Sequence, residues 1–225
     1  MTGGRKNRRG TPQGGVASPL LANLYMNCFL KYWRITGRRE RFQAPVVNYA
    51  DDFVILSRRH AVEARDWTRT VLTRIGLTLP EAKTSIKAAR RERFDFLGYP
   101  FGPHRFRKDG HWYLGARPST KSVAGLRRKV GDLLMPSNVG TWLEVRDRLN
   151  RILQGWSAYF SYGTRLTAYR AADNCGLERV RHFLRRRHKV QSRGATRFSD
   201  EAVFGELGVL RLRHLHVGSL PSTCK

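Results

Sequence analysis

Acidic side chains are scarce in this chain: 17 Asp and Glu stand against 43 Lys and Arg, and the first acid met along the sequence is Glu40. That shortage excludes a self-balanced surface, because a formal net charge of +26 repels itself and attracts a polyanion. Cysteine is equally sparse. Cys28, Cys175 and Cys224 are odd in number and far apart, which excludes a disulfide framework and a Cys-x-x-Cys zinc site. Apolar runs of membrane-spanning length are missing too, and the basic, glycine-rich stretch Met1 to Gly10 has no apolar core behind it, as a secretory signal requires. These absences lead us to expect a reduced, cytoplasmic protein with no membrane partner and nucleic acid as its counter-charge.

What is present suits folding. Hydrophobic residues make up 40% of the chain and aromatics 11%, so 225 residues can build one or two packed cores. Leu20, Leu21, Leu24, Cys28 and Tyr32 recur at helical spacing behind Ser18 and Pro19. Val46 to Leu56 reads as strand, tight turn and strand. Ala64, Trp67, Val71 and Ile75 step as a helix ended by Gly76, and further strands are expected at 77–79, near Ser85 and Ile86, and from Phe94. A turn at Lys108, Asp109 and Gly110 joins Arg105–Arg107 to His111–Leu114 as a hairpin.

After Pro118 the hydrophobic period becomes purely helical. Ser119 begins a helix with Val123, Leu126, Val130 and Leu133 on one face, ended by Pro136. A second begins near Thr141 and aligns Trp142, Val145, Leu149, Ile152, Trp156 and Tyr159 in one seam, which marks those aromatics as core. A third runs from Leu166 through Phe183. The fold class is α+β, with an antiparallel-sheet domain over 1–117 followed by a helical domain over 118–225.

Asp51 and Asp52 stand side by side at the tip of the apolar hairpin. Two like charges there disfavour folding unless a divalent cation joins them, and paired Mg²⁺ ions about 3.5–4 Å apart can stabilise the attacking and leaving oxygens of phosphoryl transfer. The surrounding motif, Tyr49-Ala50-Asp51-Asp52 between β-rich arms, resembles the signature hairpin of reverse transcriptases. Other segments resemble that family's blocks in their usual order: Thr11 to Asn23 including Gln13, Gly14 and Gly15; Gly76 to Leu79 with Lys83; and Phe96-Leu97-Gly98-Tyr99. The helical half, with Gly155 to Phe160, is similar to the thumb or X domain of group II intron maturases.

The resemblance implies roles. Asp51 and Asp52 would be metal ligands and catalytic, with Lys83 beside the triphosphate as a second catalytic group. Gln13, Gly14, Gly15, Tyr49 and Ala50 would contact nucleotide and template, and Phe96, Leu97 and Gly98 would grip the primer. Arg127, Arg128, Lys129, Arg179, Arg181, Arg185, Arg186, Arg187, Lys189, Arg193 and Arg197 would bind RNA, since guanidinium forks suit phosphate oxygens. His182 and His188 are bystanders among them. The implied activity is RNA-directed DNA synthesis coupled to intron splicing, with intron RNA, an RNA template with DNA primer, and dNTP as partners and Mg²⁺ as cofactor.

The chain departs from the family in one respect that bears on chemistry. A working palm takes a further aspartate from an earlier strand, and no acid precedes Glu40. The expectation is a truncated or split polymerase without fingers, possible to complete with an N-terminal polypeptide and inactive alone. Without Cys-x-x-Cys pairs after residue 200, no zinc-stabilised endonuclease is expected. The competing readings are a non-catalytic RNA-binding splicing cofactor, a retron or CRISPR-associated reverse transcriptase, and a general basic RNA-packaging protein.

Overall fold

The computed structural model describes residues 15–106, 109–191 and 196–215. The chain divides into two compact units at residues 86 and 87, upstream of the change in hydrophobic period near 117.

In the first unit, α1 (Ser18–Ile35) and the short α2 (Arg38–Arg41) precede a hairpin of β1 (Val46–Tyr49) and β2 (Asp52–Ile55), followed by α3 (Ala61–Arg74). The antiparallel register pairs Val46 with Ile55 and Tyr49 with Asp52. One hairpin face, carrying Val46, Phe53 and Ile55, packs on a core of Met26, Phe29, Trp33, Phe42, Ala44, Ala64, Val71 and Leu72. Trp67 meets Trp33 edge-on at 5.3 Å and stacks on Tyr32 at 5.8 Å. Gly76 ends α3 in the left-handed region (φ 81°), where the amides of Gly76 and Leu77 bond the carbonyls of Thr73 and Leu72 as a Schellman cap.

Three expectations fail in this unit. The leucines that signalled α1 face outward: Leu20, Leu21 and Leu24 are exposed, while Met26, Phe29 and Trp33 carry the buried face. Residue 18 lies inside the helix, and the N-cap position is Ala17, which has no capping side chain. The strands expected at 77–79 and 85–86 do not form. Leu77 and Leu79 do pack on the core, but no neighbouring strand offers them a ladder, and a 3₁₀ turn (Glu81–Lys83) follows Pro80.

In the second unit, β3 (Phe94–Phe96), β4 (Tyr99–Arg105) and β5 (Trp112–Ala116) form an antiparallel meander that leads into α4 (Thr120–Leu133), α5 (Trp142–Tyr159) and α6 (Leu166–Arg187). The hairpin expected around residues 105–114 is present in β4 and β5, pairing Arg105 with Trp112; Arg107 and Lys108 lie outside the described residues. The caps follow the sequence closely. Ser119 accepts from the Ser122 amide, and Thr141 and Glu144 close a reciprocal capping box. The backbone hydrogen bond to Glu144 holds its carboxyl below the usual carboxylate range. Thr141→Ala is therefore expected to destabilise the chain by about 1 kcal/mol in urea unfolding at neutral pH. The Glu144 share of the cap is complete above the ordinary glutamate pKa and is lost as pH falls through the lowered one; its main donor is the amide of residue 141, which alanine keeps, so most of the difference between variant and parent should persist in acid.

The helical core joins Leu126 and Val130 of α4, Val145, Leu149 and Leu153 of α5, and Tyr169, Val180, Phe183 and Leu184 of α6. A segment after α6 completes it with Phe198, Val203, Val209 and Leu212. Trp142 and Trp156 pack against this core as expected, but Tyr159 remains 49% exposed. Its hydroxyl donates instead to the Leu97 carbonyl, and its ring lies along Tyr99.

Candidate carboxylate hairpin and nucleic-acid interface

Pairing of Tyr49 with Asp52 leaves Ala50 and Asp51 as a two-residue loop, and Ala50 takes a positive φ of 53°. Such loops favour left-handed geometry because it matches the twist of the strands. Alternation along β1 and β2 puts Val47, Tyr49 and Asp52 on the face opposite the core, and Tyr49 is 58% exposed. Asp51 and Asp52 are both exposed, and neither is held by an ion pair among the described residues. Their oxygens suit a hard divalent cation in kind. Among the described residues, however, no group of three or more His, Cys, Asp or Glu side chains is placed to hold a metal.

The other expected site residues divide by location. Gln13 and Gly14 lie outside the described residues, and Gly15 is the first residue within them. Lys83 is exposed at the end of the 3₁₀ turn, in the same unit as the aspartates. Phe96, Leu97 and Gly98 belong to the second unit. Leu97 and Gly98 form the turn between β3 and β4 with φ of 51° and 77°. The Gly98 carbonyl accepts from the Ser119 amide at 3.0 Å and the Ser122 hydroxyl at 3.2 Å. A Cβ at Gly98 would meet Ser122 Oγ at 3.0 Å and Phe160 Cζ at 3.2 Å. Sequence reading ran the strand from Phe94 on through Gly98 and missed both the turn and its anchors Ser119, Ser122 and Tyr159. Tyr99 adds a fourth, donating to the Tyr159 carbonyl at 2.7 Å, and burial raises its phenol pKa above the ordinary value.

The basic residues also separate. Arg127, Arg128 and Lys129 sit exposed on α4, as do Arg179, Arg186, Arg187, Lys189 and Arg197 on α6 and beyond it. Arg185 is partly buried, and Arg193 lies outside the described residues. Arg181 is turned to structure: its Nε donates to the Phe198 carbonyl at 2.6 Å and its Nη2 pairs with Asp200 at 3.1 Å. Arg187 keeps an exposed side chain but donates from Nη1 to the Gly140 carbonyl at 2.6 Å.

This arrangement can be set beside known families. Residues 1–101 match the family model for reverse transcriptase (RNA-dependent DNA polymerase), and residues 123–199 match that for the group II intron maturase-specific domain. The chain belongs to the group II intron reverse transcriptase and maturase family. A comparison with curated proteins gave no match. Membership explains why an α+β region with a carboxylate-tipped hairpin is followed by a basic helical region, and it implies nucleic-acid substrates and divalent-metal use. No helix among the described residues is long and apolar enough to cross a membrane.

Proposed function

We propose that this chain serves a group II intron as an RNA-binding maturase and carries part of a polymerase site of the reverse transcriptase type. The observation that supports this most directly is the set of exposed cations on α4 and α6, within the residues matching the maturase-specific domain. Those side chains reach phosphates of folded intron RNA, while Arg181 holds the segment that completes the core beneath them.

In the polymerase part, Asp51 and Asp52 are the residues to hold Mg²⁺, which when bound supplies charge neutralisation at the transferring phosphoryl group. Tyr49 and Ala50, with Gln13, Gly14 and Gly15, take the nucleotide- and template-binding roles of the family's blocks. Lys83 protonates the departing pyrophosphate, and Phe96, Leu97 and Gly98 steady the primer. Two adjacent carboxylates without a third hold such an ion loosely, because Mg²⁺ gives up its water reluctantly and demands near-octahedral geometry.

The 225-residue chain alone is thus expected to assist splicing without extending primers. Splicing of a group II intron RNA and extension of a primed RNA template with Mg²⁺ or Mn²⁺ are measured for the chain and for Asp51→Ala/Asp52→Ala. Splicing assistance should be equal in both, with no synthesis by either. Asp51-dependent synthesis by the chain would overturn the expected inactivity of the chain alone, and splicing no faster than with an unrelated basic protein would overturn the maturase half.

A further inference from the structure

A cavity of about 420 Å³ opens in the second unit where the end of α4 and the loop after it face the last turns of α6. Its walls are Leu134, Pro136, Val139 and Phe183, and its polar lining is Asn138, His182, Arg186 and Arg187. Helical spacing explains the mixture. Phe183 and Arg187 are four residues apart, as are His182 and Arg186, so adjacent rows of α6 present apolar and basic groups to one opening.

The cavity is held open by its own hydrogen bonds. Asn138 spends its side chain on the loop, donating to the Leu133 carbonyl at 2.8 Å and accepting from the Gly140 amide at 3.0 Å. Arg187 ties that loop to α6 through the Gly140 carbonyl, and its guanidinium lies 5.9 Å from the Phe183 ring centroid. Val139 is 89% exposed at the rim. Arg186 makes no ion pair among the described residues, and no acid lines the opening.

We propose that this cavity receives one unpaired RNA base, with Arg186 on the adjacent phosphate. The inference rests on the RNA-binding reading and adds to it a preference for single-stranded nucleotides. A flat, largely apolar body next to a negative charge is the shape and chemistry that apolar walls with a cationic rim select, and unstacked bases are the parts of RNA that proteins read by stacking. A paired helix offers phosphates but no free base, so it can satisfy Arg186 without filling the cavity.

The test compares two RNA probes on the full chain at raised salt: a hairpin with a uridine loop, and a fully paired duplex with the same number of phosphates. The uridine loop should bind about tenfold tighter, the range expected for one stacked base. Val139→Asp, at an exposed rim position, should abolish that preference, and Arg186→Ala should weaken both probes while leaving the preference in place. Arg127→Ala should weaken both probes alike. A photoreactive uridine in the loop should crosslink to the peptides around residues 134–139 or 182–187. A preference that survives Val139→Asp, or tight binding with no preference, overturns the base site and leaves the RNA-binding reading intact. Salt-resistant binding to neither probe sinks both. Displacement of the uridine loop by a polyglutamate peptide of equal charge, as effective as by unlabelled loop RNA, overturns it by showing that charge alone is recognised.

Discussion

Replacing Asp173 by alanine is expected to cost about 3–5 kcal/mol of folding stability, the usual penalty for removing one partner of a buried charged network. Asp173 is 3% exposed on α6, and its two oxygens accept the backbone amides of Leu212 at 2.7 Å and Arg213 at 3.1 Å. Arg213 Nε approaches at 3.3 Å and contributes charge without a well-directed hydrogen bond. Alanine strands two amide donors and leaves that guanidinium without its counter-charge. It also frees Leu212, which is fully buried in the helical core. Urea unfolding followed by circular dichroism measures the loss. Asp173→Asn keeps the volume and one acceptor, so it should fall between alanine and the parent; equal stability of all three would show that the network does not hold the segment.

The second large effect concerns salt. If the exposed cations reach phosphates in the number counted for typical complexes, roughly six to ten, affinity for a folded RNA should fall by about 10³ to 10⁵ between 50 and 200 mM monovalent salt. Arg127, Arg128 and Lys129 are exposed together on α4, so neutralising all three should flatten the log–log slope by about one for each lost contact. Arg181→Ala should destabilise the fold through its lost bonds to Phe198 and Asp200 while leaving the slope unchanged. A slope that drops equally for Arg181→Ala would place that guanidinium on RNA and contradict its structural role.

The contrast between these arginines shows what sequence can reveal. Signals confined to neighbouring residues were legible: the helix start near Thr141, the Ser119 cap, the Gly76 stop, and the β-rich arms around Asp51 and Asp52. Each is decided within a few positions by hydrogen bonds or backbone preference. Signals that depend on distant partners were not. Arg181 looked like its neighbours because Asp200 lies 19 residues away. Tyr159 fitted an apolar seam, yet a backbone carbonyl 62 residues earlier claims its hydroxyl. Leu77 and Leu79 carried strand propensity, but a strand exists only where another can pair with it. For the candidate site, residue types and order were readable, while the inward anchoring of Gly98 and the cavity beside Phe183 emerge only from tertiary contacts.

The turn at Leu97 and Gly98 has a mechanical side. Both of its carbonyls are claimed from behind, one by the Tyr159 hydroxyl at the end of α5 and the other by Ser119 and Ser122 at the start of α4. Two helices thus grip a loop tip too short to flex by itself. A tilt of either helix, caused for instance by RNA drawn onto its basic side, must drag the tip along or break those bonds. The strand end at that tip is therefore registered against two helices at once, and its position is fixed by bonds that lie far from it in the sequence.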